Sequence, residues 1–127
     1  MLTAEILEQF WSLAKTDLKV EIYKIINEIS AWLKQNHIDY IFDQIKQVQP
    51  EKMATDEFHT ISELGKFSRD LDFKKAVSEF FWSIICSSDS YKEDLVTNCI
   101  TKFSEMVKYW DMPVKHQFFI DLQTNID

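Results

Sequence analysis

Two consecutive amphipathic stripes, parted only by Ser87-Ser88-Asp89-Ser90, constrain this chain more than any other feature. The first places Phe73, Val77, Phe80, Phe81, Ile84 and Ile85 along one face of a helix over 73–86. The second does the same with Val96, Cys99, Ile100, Phe103, Met106, Val107 and Trp110 over 91–110. Apolar residues at i, i+3, i+4 and i+7 form a single strip only on a helix. Ser90 followed by Glu93 reads as a capping box that starts the second helix. A helical hairpin is the expected unit, with the rest of the chain organised around it.

The flanking sequence repeats the pattern. Thr3 is the expected cap of a helix over 4–15 carrying Ile6, Leu7, Phe10, Trp11, Leu13 and Ala14. Thr16 or Asp17 precedes a helix over 18–35 whose stripe is Ile22, Ile25, Ile26, Ile29, Trp32 and Leu33. Asn36 is the expected cap of a helix over 37–48 with Ile38, Ile41, Phe42 and Ile45 inward. Pro50 ends it. Thr55 caps a helix over 56–68 with Phe58, Ile61, Leu64 and Phe67, inside which Gly65 either weakens the helix or admits a close neighbour. Asp70 or Asp72 caps the Phe73 helix, and Pro113 fits the first turn of a seventh over 113–125, with Val114, Phe118, Phe119, Ile120 and Leu122.

The predicted fold class is therefore all-α: about seven antiparallel helices in one domain spanning 1–127. One Gly and two Pro are too few for a turn-rich sheet protein. Phe10-Trp11-Ser12-Leu13 recurs as Phe81-Trp82-Ser83-Ile84, 71 positions later. A shift across two hairpins of about 37 residues each lies within reach of a HEAT/armadillo-like repeat. A compact helical bundle accommodates the same helices and is the alternative. On the repeat reading the chain is a segment of a longer protein.

Charge and motif content narrow the function. With 21 acidic against 14 basic residues the formal charge is −7, so there is no basic footprint for nucleic acid or for an anionic membrane. No run approaches the roughly 18 apolar residues of a membrane span, and no signal peptide is visible, so a cytoplasmic location is expected. Cys86 and Cys99 read as two reduced, buried thiols, with a disulfide between neighbouring helices as the alternative. Cys86 falls near a helix C-terminus, where the dipole disfavours a thiolate nucleophile. His37, His59 and His116 have no metal-ligand spacing, and Asp39 with Asp43 lacks further oxygen ligands. Asp89 to Asp94 lacks the glycine of a calcium loop, and one Gly forbids a glycine-rich phosphate loop. No catalytic residue, cofactor or metal site is predicted.

The broad apolar faces of the first and last helices are the candidate interface: Leu7, Phe10 and Trp11 at one end, Phe119 and Ile120 at the other. In a solenoid segment these would meet neighbouring repeats or protein partners.

Several runs span most of the chain: Phe10-Trp-Ser-Leu-Ala-Lys-Thr-Asp, Val20-Glu-Ile-Tyr-Lys-Ile-Ile-Asn-Glu-Ile-Ser, His37-Ile-Asp-Tyr-Ile-Phe, Ile61-Ser-Glu-Leu-Gly-Lys, Tyr91-Lys-Glu-Asp-Leu-Val and Met106-Val-Lys-Tyr-Trp. In these the chain resembles the non-catalytic helical region of large ubiquitin-specific proteases of the fat-facets type. The resemblance implies armadillo-like helices within a long cytosolic deubiquitinase. Neither the Cys box nor the His box of the protease domain is present here, so no catalytic residue carries over. The expected function is a non-catalytic scaffold or protein-interaction segment of the ubiquitin pathway. The alternative is a free-standing helical adaptor that binds short peptides in trafficking or signalling.

Overall fold

The computed structural model describes residues 4–13, 18–53 and 55–126, and among them there are seven α-helices and no strand. They are α1 (Ala4–Ser12), α2 (Lys19–Ile29), α3 (Gln35–Lys46), α4 (Thr55–Phe67), α5 (Leu71–Cys86), α6 (Glu93–Tyr109) and α7 (Met112–Ile126). Short 3-10 turns at Ser30–Trp32, Pro50–Lys52 and Ser88–Ser90 join some of them. The expected caps Thr3, Thr16 and Asp17, and the residues Ala14 and Lys15, lie outside the described residues, as does the side chain of Leu122.

Helices α5 and α6 pack together, as their stripes require, but the helix at the centre is α4, which touches α2, α3, α5 and α6. Its apolar residues Phe58, Ile61 and Leu64 are buried, and so are Glu57, Thr60, Ser62 and Gly65. A helix enclosed on several sides must satisfy the polar groups it buries. Thr60 donates to Asn27 Oδ1 at 3.0 Å, Ser62 to the carbonyl of Lys102 at 3.0 Å, and Ser68, just past the helix, to Gln35 Oε1 at 2.7 Å. The small side chains let neighbours close in. Met106 of α6 fills the space where a Cβ on Gly65 would lie, so the close-approach reading of this glycine holds.

The core is continuous from α1 to the base of α7. Trp11 meets Tyr23 edge-on at 5.5 Å, Phe42 meets Phe73 at 5.2 Å, and Phe81 stacks on Phe103 at 5.6 Å and 12°. All four expected inward residues of α3 are buried.

Several expectations are corrected. The second helix stops at Ile29 instead of Gln35, because Ser30 turns its hydroxyl back onto the Ile26 carbonyl at 2.8 Å and the chain extends at Leu33. Trp32 is consequently 85% exposed and lies off any stripe. Within α2 the buried residues are Ile22, Tyr23 and Ile26, while Ile25 is exposed. The helix is rotated by its polar contacts to α4, where Lys19 forms an ion pair with Glu57 and Asn27 accepts from Thr60. The capping box at Ser90 and Glu93 does not form. Ser90 belongs to a 3-10 turn, and Glu93 is the first residue of α6, after an extended Lys92 with no side-chain cap. Ile100 is exposed, because α6 buries Cys99, Phe103 and Met106. Asn36 lies inside α3, which begins at Gln35 without a side-chain cap, and Thr55 is the first residue of α4 and not its cap. Asp70 caps α5, its Oδ1 accepting from the Phe73 amide at 3.2 Å. Asp111 does the same for Val114 in α7 at 3.3 Å. Cys86 is exposed and only Cys99 is buried; both thiols are free.

Candidate functional site

The five candidate interface residues separate into two groups. Leu7 and Trp11 are buried in the core under α1, and Phe10 is half-buried against it. Phe119 and Ile120 stand outward on α7, 54% and 41% exposed. Trp11 packs on Tyr23, and α1 contacts α3. The two copies of the Phe-Trp-Ser motif also bury different positions. Trp11 is inside and Phe10 half inside, whereas Phe81 is inside and Trp82 half inside.

A groove of about 220 Å³ lies between α5 and α7. Leu71, Ser78 and Trp82 form the α5 wall, Val114 and Phe118 the α7 wall, and Trp110 lies where the two meet. Val114 and Phe118 pack α7 against the core. Asp111 caps the helix, and Phe118 packs edge-on against Phe103 at 5.5 Å and Trp110 at 5.8 Å. Trp110 in turn donates its indole N–H to the Gly65 carbonyl at 3.0 Å. The outer side of α7 carries Met112, Phe119 and Ile120 exposed.

Lys74 lies in the groove, buried, and its ammonium donates to the Ser68 carbonyl near the Trp110 ring. Burial lowers its pKa below the ordinary 10.5, while Asp111 and then Asp70 pull it back up. The charge is thus already used inside the fold. The rim carries Asp72 and Glu79 on α5 and Asp121 on α7, with Lys75 between the first two in sequence. Among the described residues neither Asp72 nor Glu79 has an ion-pair partner, while Asp121 accepts from Gln117 at 3.0 Å.

Chemically the groove offers apolar and aromatic area with a carboxylate rim. Cys99 is fully buried and its thiol is pushed up to about 12 by burial, far from thiolate chemistry at neutral pH. No group of three or more His, Cys, Asp or Glu among the described residues converges as a metal site. No described helix is long and apolar enough to cross a membrane.

The sequence marked Trp110 and Phe118 only as stripe positions. Leu71 precedes the helix that periodicity predicts over 73–86, and nothing in the spacing marks Lys74 or Trp82 as a site residue. The signal available was the second apolar face of α7: Phe118 and Phe119 cannot both point at one neighbour. Compared with known protein families, curated proteins and solved structures, the chain matches none.

Proposed function

We propose that the chain is a non-catalytic helical scaffold whose α5–α7 groove binds protein partners. The observation that carries this is the groove itself. Trp82, Trp110 and Phe118 line an open apolar channel beside a helix that also exposes Met112 and Phe119. Aromatic side chains in a half-open pocket are the usual anchors of protein recognition. A HEAT/armadillo-like arrangement of these helices, inside a large ubiquitin-specific protease of the fat-facets type, is the setting that the sequence resemblance suggests. In that setting the exposed face of α7 is where a following helix packs.

The test is a helical-peptide library panned against the protein. Selected peptides are expected to slow amide exchange in α5 and α7 and to weaken on Trp82→Ala. Peptides that bind but protect other helices would remove the groove from this reading. A ubiquitin-linked reporter should remain uncleaved by the isolated protein; cleavage lost on Cys86→Ser would replace the scaffold reading with an enzymatic one.

A further inference from the structure

We infer that the groove takes an amphipathic α-helix of another protein, with its apolar face flanked by lysine or arginine. This rests on the groove being a protein-binding site, and it specifies the occupant. The first argument is backbone satisfaction. Both walls are helices whose N–H and C=O groups are already paired within them, so the groove offers no free edge to an extended strand. A strand buried there would leave its own backbone groups unpaired, whereas a helix satisfies them internally. From Leu71 to Trp82 the α5 wall runs about 16 Å at helical rise, enough for about three turns of an incoming helix.

The second argument is charge. Asp72 and Glu79 stand seven residues apart on α5, so they line the same side, and Asp121 faces the groove from α7. Lys74 is committed to the Ser68 carbonyl and has Asp70 and Asp111 close by, leaving Lys75 as the one other cation among the described residues that line the groove. An apolar face bordered by cations would pair with this rim on both walls. An anionic lipid surface would be repelled by it. A second copy of the chain brings another formal charge of −7, which opposes self-docking.

The experiment uses a roughly 16-residue amphipathic Leu/Lys peptide and its Leu/Glu counterpart, long enough to fill the groove. Binding is read by calorimetry at about 0.15 M salt, where charges beyond about 8 Å are screened. The Leu/Lys peptide is expected to bind. Glu79→Lys/Asp121→Lys should weaken it about tenfold or more, because both rim carboxylates become repulsive. Glu21→Lys/Glu28→Lys, on exposed positions of α2 that do not line the groove, changes net charge equally and should alter binding by less than about twofold. Equal loss in both variants would mean attraction to net charge alone and would overturn the inference. Equal or tighter binding of the Leu/Glu peptide would overturn the basic partner while leaving the groove as a binding site. Binding of neither peptide would remove both. Concentration-dependent dimerisation abolished by Glu79→Lys/Asp121→Lys would assign the groove to a second copy instead.

Discussion

The indole N–H of Trp110 donates to the carbonyl oxygen of Gly65 at 3.0 Å. That bond joins the end of α6 to the central helix α4, beside the point where Met106 fills the space next to Gly65. Phe118 then packs on Trp110, so the base of the α5–α7 groove depends on how closely α6 approaches α4.

Gly65→Ala tests that approach. The backbone there has no positive φ, so alanine fits the helix and gains about 1 kcal/mol of propensity. Its Cβ, however, meets Met106, which is fully buried, with Val77 Cγ1 at 3.5 Å on another side. Overpacking of about 1–3 kcal/mol should offset or outweigh the gain, for a net loss of up to about 2 kcal/mol in urea unfolding. In a Met106→Leu background the loss should shrink. A stabilised Gly65→Ala protein would show that Met106 can leave the site freely.

Phe81 and Ile100 both lie on their sequence stripes, and only Phe81 is buried. Phe81 is fully buried among Phe58, Phe80 and Phe103, whereas Ile100 is 49% exposed. Phe81→Ala should cost about 3–5 kcal/mol. Ile100→Ala should stay under about 1 kcal/mol. Equal losses in chemical denaturation would contradict the burial of Cys99, Phe103 and Met106 in place of Ile100 on α6.

His59 on α4 has a buried Nδ1 without a hydrogen-bond partner among the described residues, and its Nε2 lies 3.8 Å from Glu63 Oε1. Burial lowers its pKa below the ordinary 6.5; Lys102 and Lys66 push the same way, and Glu63 and Glu105 oppose them. The unfolded chain therefore takes up this proton at a higher pH than the folded one. The stabilising contribution is complete above 6.5 and is lost as pH falls towards the lower folded value. Melting temperature should drop on acidification, and His59→Gln should flatten the part of that drop that begins near 6.5. An unchanged profile in the variant would assign the drop to other groups.

The two thiols should differ in reactivity. Cys86 is exposed, while Cys99 is fully buried with its pKa pushed up to about 12. A chromogenic disulfide reagent at mildly alkaline pH should modify Cys86 in the folded protein and reach Cys99 only on unfolding. Rapid modification of both would mean that α6 opens readily around Cys99.

Helix identity was legible in the sequence because it depends on local periodicity. Seven stripes predict seven helices, and Asp70 and Pro113 mark their starts as read. Inward residues were legible where a helix presents one face to one neighbour, as in α3. Rotation and centrality were decided by tertiary structure. Sequence spacing cannot choose between Ile25 and Tyr23 on α2; the ion pair of Lys19 with Glu57 and the bond from Thr60 to Asn27 do so, across 38 and 33 positions of chain. The place of α4 at the centre was hidden for the same reason. Thr60, Ser62 and Gly65 read as polar or weak helix positions until Asn27, the Lys102 carbonyl and Met106 meet them. The groove is a property of two helices held apart, set by Phe118 on Trp110 and Trp110 on Gly65. No periodicity within one segment records a gap between two segments distant in sequence, so the candidate site belongs to the fold and not to any motif.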